Sequence, residues 1–132
     1  GSAGMYCYNL RGKLLWQRNL GNAKTRLSFG EASSPVIHED RLIITRDQEN
    51  QSYIMVMNAK TGSTIWKRDR DEPSCWATPI VIDYHGRKQL ITNAHNRDGG
   101  HRQHQESSSV PDALGADSAD TAGWQDCQHH RK

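Results

Sequence analysis

An all-β fold is predicted for this chain, and three observations predict it. Its apolar residues come in short runs rich in Val, Ile, Tyr and Thr, separated by turn-forming residues. No stretch carries the 3.6-residue periodicity of an amphipathic helix. Two local patterns recur at a spacing of 44 to 50 residues.

The elements follow in order. Met5-Tyr6-Cys7-Tyr8-Asn9-Leu10 reads as a strand that ends at Arg11-Gly12, and Lys13-Leu14-Leu15-Trp16-Gln17-Arg18 returns from it. Gly12 supplies the positive φ that such a turn requires. Pro35-Val36-Ile37-His38 and Arg41-Leu42-Ile43-Ile44-Thr45 flank a Glu39-Asp40 turn. Ser52–Met57 pairs with Ser63–Arg68 across Asn58-Ala59-Lys60-Thr61-Gly62, a loop with the length and the Gly of a bulged hairpin. The last hairpin joins Thr78–Ile82 to Lys88–Thr92 through Asp83-Tyr84-His85-Gly86-Arg87.

These hairpins are copies of two patterns. Gly12-x-x-x-Trp16 recurs as Gly62-x-x-x-Trp66, and Ser34-Pro35 with its following strand recurs as Thr78-Pro79 with Leu90-Ile91-Thr92. A unit of about 40–50 residues built from four short strands is the sequence sign of a β-propeller blade. Such units bury their faces against one another, so the spacing reflects packing.

A family resemblance rests on the same residues. Asn58-Ala59-Lys60-Thr61-Gly62-Ser63-Thr64-Ile65-Trp66 resembles the D-x-x-T-G-x-x-x-W signature of pyrroloquinoline-quinone-like propellers, and Tyr8–Trp16 is a shortened version. Ser33-Ser34-Pro35-Val36 and Trp76-Ala77-Thr78-Pro79-Ile80 are similar to the S-[ST]-P-[VI] opening of the next blade. Residues 1–97 thus resemble the quinoprotein-like repeat proteins, which include the lipoprotein of the outer-membrane barrel assembly machine. The resemblance implies an incomplete propeller of about two four-stranded antiparallel blades. Residues 1–20 would be a half blade, about 31–69 a full blade and 74–97 a second half blade. Asn58, Thr61, Gly62, Trp66, Gly12, Trp16, Pro35 and Pro79 would carry the blade motif, with both indoles packed between blades. A parent in the periplasm or cell envelope is implied as well, although no signal peptide is visible in this chain.

Composition changes near residue 97. Residues 1–97 hold 14 Lys+Arg against 9 Asp+Glu, whereas 98–132 hold 3 against 6, and Val110 and Leu114 are the only large aliphatic residues there. Such a segment buries too little surface to offset chain entropy, so 98–132 is expected to be a disordered tail. The family pattern breaks off inside a blade, which points to a frameshifted or misassembled reading frame. Gly1-Ser2-Ala3-Gly4 fits either a cloning scar or a strand entry.

Function is constrained mainly by exclusion. A net charge of +2 gives no basic surface for nucleic acid, and no apolar run approaches the roughly 18 residues of a membrane helix. The three Cys form no disulfide framework, and Cys7 and Cys75 read as small buried residues. His101-x-x-His104 and Cys127-x-His129-His130 have zinc-compatible spacing but lack an apolar surround to fix geometry, so no resident metal is expected. The charged runs Arg46–Gln51 and Asp69–Glu72 read as solvated connections. Family dehydrogenases stack their quinone on a vicinal disulfide beside calcium, a pattern missing here. No cofactor and no catalytic residue is therefore expected. The expected role is a non-catalytic scaffold that meets protein partners through its blade loops; the alternatives are a piece of a quinone-dependent dehydrogenase or of a sensor domain fused to a kinase. Two blades should also leave Ile43, Ile54, Val56, Ile80 and Ile82 exposed at blade edges, promoting self-association.

Overall fold

The computed structural model describes residues 4–95 and the backbone strands Gln103–Ser109 and Gln125–Asp126. The chain is all-β and its sheets are antiparallel. The sole helical element among the described residues is a three-residue 3-10 turn, Arg26–Ser28.

Strands β1 (Gly4–Tyr8) and β2 (Leu14–Asn19) make a two-stranded sheet. The central sheet runs β3 (Val36–His38), β4 (Arg41–Arg46), β5 (Ser52–Asn58) and β6 (Thr64–Arg70) in sequential order. The third sheet begins with β7 (Ile80–Tyr84) and β8 (Arg87–His95). The backbone of β9 (Gln103–Ser109) lies beside β8, followed by β10 (Gln125–Asp126). The remainder of 96–132 lies outside the described residues, as does most of the segment expected to stay disordered.

The central sheet is covered on both faces, which explains why β4 and β5 are nearly continuous apolar runs. Pleating sends alternate residues to opposite sides. Leu42, Ile44, Tyr53, Met55 and Met57 pack against Met5, Trp16 and Leu20 of the first sheet and its exit. Ile43, Ile54 and Val56 pack with Trp66 against Val81 and Leu90 of the third sheet.

This layering corrects the expectation of exposed edges. Ile43, Ile54 and Val56 are 3%, 0% and 3% exposed, because both neighbouring sheets cover the faces that were counted as open. Ile80 is exposed and Ile82 half-buried. The last hairpin is also tighter than expected. Asp83 and Tyr84 stay in the ladder opposite Lys88 and Arg87, and the turn narrows to His85 and Gly86 at φ 52° and 73°. Two successive left-handed residues are what a two-residue hairpin turn needs.

Candidate functional site

Of the repeated-motif residues, Gly62, Trp16 and Trp66 lie at seams between sheets. Asn9 and Asn58 open matched turns. The side-chain oxygen of Asn9 accepts from the Arg11 and Lys13 N–H groups, and that of Asn58 accepts from Lys60 and Thr61. In each turn the Gly N–H donates back to the Asn carbonyl, Gly12 to Asn9 and Gly62 to Asn58, both at 2.9 and 2.8 Å respectively. Thr61 tightens the longer turn through its hydroxyl, 2.8 Å from that of Ser63.

The match continues into the strands. Trp16 lies opposite Cys7 and Trp66 opposite Val56, and each hairpin has its register shift one residue beyond. The indole of Trp16 sits on Gly62 and donates from Nε1 to the Ala59 carbonyl at 3.0 Å, locking the first sheet to the central turn. Trp66 occupies the same place on the central sheet and meets the next seam. Pro79 is fully buried, whereas Pro35 is exposed and borders a cavity of about 190 Å³ beside Met5, Leu20 and Ile44.

One assembly of side chains is absent from the sequence expectations. Arg46, Asp47 and Gln48 are buried and form a structural junction, whereas residues 49–51 of the run expected to be solvated are exposed. The Arg46 guanidinium pairs with Glu31 and donates to the carbonyls of Leu20 and Gly21 and to the Tyr53 hydroxyl. Burial works against its charge, but the hydrogen bonds to Tyr53 and Glu31 outweigh that and hold its pKa above the ordinary value. Arg70, at the end of β6, donates from Nη1 to both carboxylate oxygens of Asp47 at 3.0 and 3.1 Å. Both of these side chains are almost wholly buried, at 3% and 1% exposure. Within the run 69–72 Arg70 ends a strand and is buried in this pair, whereas Asp69 and Asp71 are exposed as expected.

Gln48 and Glu49 tie distant segments to this junction. Gln48 Oε1 accepts from the Lys24 N–H, and Glu49 Oε1 accepts from the Ser74 hydroxyl and N–H. The Ser52 hydroxyl donates to the Gln48 and Glu72 carbonyls. The contacts to Lys24, Glu72 and Ser74 span 20 to 25 residues along the chain, beyond any local pattern; the only local hint was a charge directly after the apolar run 42–45.

The described residues do not fit a quinone–calcium site. Cys7 lies in the first sheet and Cys75 before the third; both are free and half-buried, not fully buried as expected. Among the described residues no group of three His, Cys, Asp or Glu side chains is placed to hold a metal. The side chains of His101, His104, Cys127, His129 and His130 lie outside the described residues. Among the described residues no helix is long and apolar enough to cross a membrane. No family model matches the chain, and no curated protein matches it.

Proposed function

We propose that the chain is a run of blades from a quinoprotein-like β-propeller, acting as a non-catalytic scaffold that meets protein partners through its loops. One observation carries this reading: each outer sheet presents a face that its counterpart on the central sheet buries. Met5, Cys7 and Trp16 correspond to Ile54, Val56 and Trp66, all turned toward the following sheet. Tyr6 and Tyr8 correspond to Met55 and Met57; the two Met are buried, whereas the two Tyr are 54% and 56% exposed. Ile80 corresponds to Val36, half-buried against the third sheet, and is itself 52% exposed. A stack of this kind accepts further sheets of the same type on either face.

The test is a titration of the purified chain with pyrroloquinoline quinone and Ca²⁺, followed by a dye-linked alcohol oxidation assay. Weak or absent binding without turnover is expected, and stoichiometric binding with turnover would make the chain part of a dehydrogenase. The open faces carrying Tyr6, Tyr8 and Ile80 are also where copies are expected to associate. Sedimentation over a hundredfold concentration range should show growing mass, and a strict monomer throughout would refute that association.

A further inference from the structure

We infer that the chain assembles head to tail by strand exchange: β1 and β2 of a second copy complete the third sheet of the first, with β1 pairing along β8. The inference rests on the propeller reading above and gives its self-association a register.

The open edge comes first. Among the described residues β1 pairs with β2 alone, whereas its counterpart β5 is paired on both edges, with β4 and β6. Gly4-Met5-Tyr6-Cys7-Tyr8 carries no charge and no proline, the devices that usually keep an edge strand from pairing.

The repeat then selects the strand that fits this edge. Val36 and Ile80 each follow a motif proline, and they pair with Ile43 and Ile91 respectively. Ile91 of β8 therefore holds the place of Ile43 in β4. Ile43 lies opposite Val56, Ile44 opposite Met55 and Leu42 opposite Met57. Carried over to the exchanged pair, Cys7 of the second copy faces Ile91, Tyr6 faces Thr92 and Tyr8 faces Leu90. Leu90 and Thr92 are 0% and 2% exposed, so the two tyrosines, open in the single copy, enter the seam against the central sheet.

A second seam contact awaits the same partner. Trp16 covers Gly62 and donates to the Ala59 carbonyl, but the matching turn at Gly12 has nothing within 4 Å of a Cβ position. Leu10, at the place of Ala59 in that turn, is fully exposed. No hydrogen bond from Trp66 Nε1 forms among the described residues. In the exchanged assembly Trp66 of the first copy lies on Gly12 of the second and donates to its Leu10 carbonyl.

In the single copy the backbone of β9 runs along this edge of β8. Its sequence, Gln103-His104-Gln105-Glu106-Ser107-Ser108-Ser109, holds no apolar residue. Exchange for β1 therefore buries apolar surface that β9 does not supply. Each copy then adds two blades, so a closed ring of about four to eight blades takes about two to four copies.

The experiment traps the register through Cys7. In the 132-residue chain with Cys75→Ser and Cys127→Ser, Ile91→Cys places a thiol opposite Cys7 of the next copy, within the reach of a disulfide. Mild oxidation should give covalent oligomers on a non-reducing gel, with Cys7 joined to the introduced cysteine in peptide maps. Within one copy these positions lie in the first and third sheets, on either side of the central one. Ile37→Cys in the same background, at an exposed position of β3, should give no such linkage. Two measurements do not depend on the Ile91→Cys fold. The Trp66 indole N–H resonance of the unaltered chain should shift with concentration, while that of Trp16 stays in place. Gly12→Ala should weaken association about tenfold, because its Cβ meets the indole of the other copy. Absence of the Cys7 linkage, equal linkage to Ile37→Cys, a Trp66 resonance indifferent to concentration, or association untouched by Gly12→Ala would overturn the inference. Quinone turnover in the assay above would instead overturn the scaffold role, so the two failures are distinguishable.

Discussion

Replacing Arg70 with Met is expected to cost about 3–5 kcal/mol, the usual penalty for leaving one half of a buried ion pair without its partner. Small domains are stable by only about 5–15 kcal/mol, so the variant should unfold at much lower urea. The reason lies in placement. Asp47 ends the run from β4 and Arg70 ends β6, and both are inaccessible to water that would otherwise solvate the stranded carboxylate. Arg70 Nη2 also reaches the Asn93 carbonyl at 3.5 Å, so the same side chain touches β8 of the third sheet. Asp47→Leu alone should be comparably destabilising. Combining Asp47→Leu with Arg70→Met should be milder than either single change, because an apolar pair leaves no orphaned charge. Urea melts followed by tryptophan fluorescence test the set. Single variants within about 1 kcal/mol of the parent would mean that the pair behaves as a solvent-screened surface bridge.

How far this fold was legible in sequence depends on the distance over which each signal acts. Gly12, Gly62 and Gly86 mark their turns because positive φ is a property of one residue and its immediate neighbours. Trp16 and Trp66 were legible as equivalent because the offset between them preserves the strand register. The tight turn at His85-Gly86 was misjudged because Asp83 and Tyr84 look like turn residues. In the folded chain Asp83 instead pairs across the ladder with Lys88, its carboxylate 3.0 Å from the ammonium. Polarity was equally misleading at Arg46, Asp47, Gln48 and Arg70, though not at the exposed residues 49–51, Asp69 and Asp71. A charged side chain is solvated unless something remote is positioned to satisfy it, and the partners of Arg46 at Leu20, Gly21 and Glu31 lie in the connection between β2 and β3. Burial of Ile43, Ile54 and Val56 likewise depends on the neighbouring sheet, which no local window contains.

The same contrast between local and remote causes yields a paired expectation for the two turn glycines. Gly12 and Gly62 have nearly equal φ, 77° and 71°, so Ala at either position meets the same left-handed strain, about 1–2 kcal/mol. Their surroundings differ. A Cβ at Gly12 would meet nothing within 4 Å, whereas one at Gly62 would lie 2.6 Å from Trp16 Cε3 and 2.7 Å from Cδ2. Those ring atoms are not a flexible tip. The indole is fixed by its hydrogen bond to Ala59 and by the cluster of Leu42, Ile44 and Met57, so relief requires moving the first sheet. Overpacking of this kind adds about 1–3 kcal/mol. Gly62→Ala is therefore expected to cost about 2–5 kcal/mol, well above Gly12→Ala, and to shift the Trp16 indole N–H resonance while Gly12→Ala leaves it in place. Adding Trp16→Leu to Gly62→Ala should recover part of the difference, giving a coupling between two residues on separate sheets. Equal costs at the two glycines, with no coupling to Trp16, would mean that the indole does not bear on the turn and that the first two sheets are joined some other way.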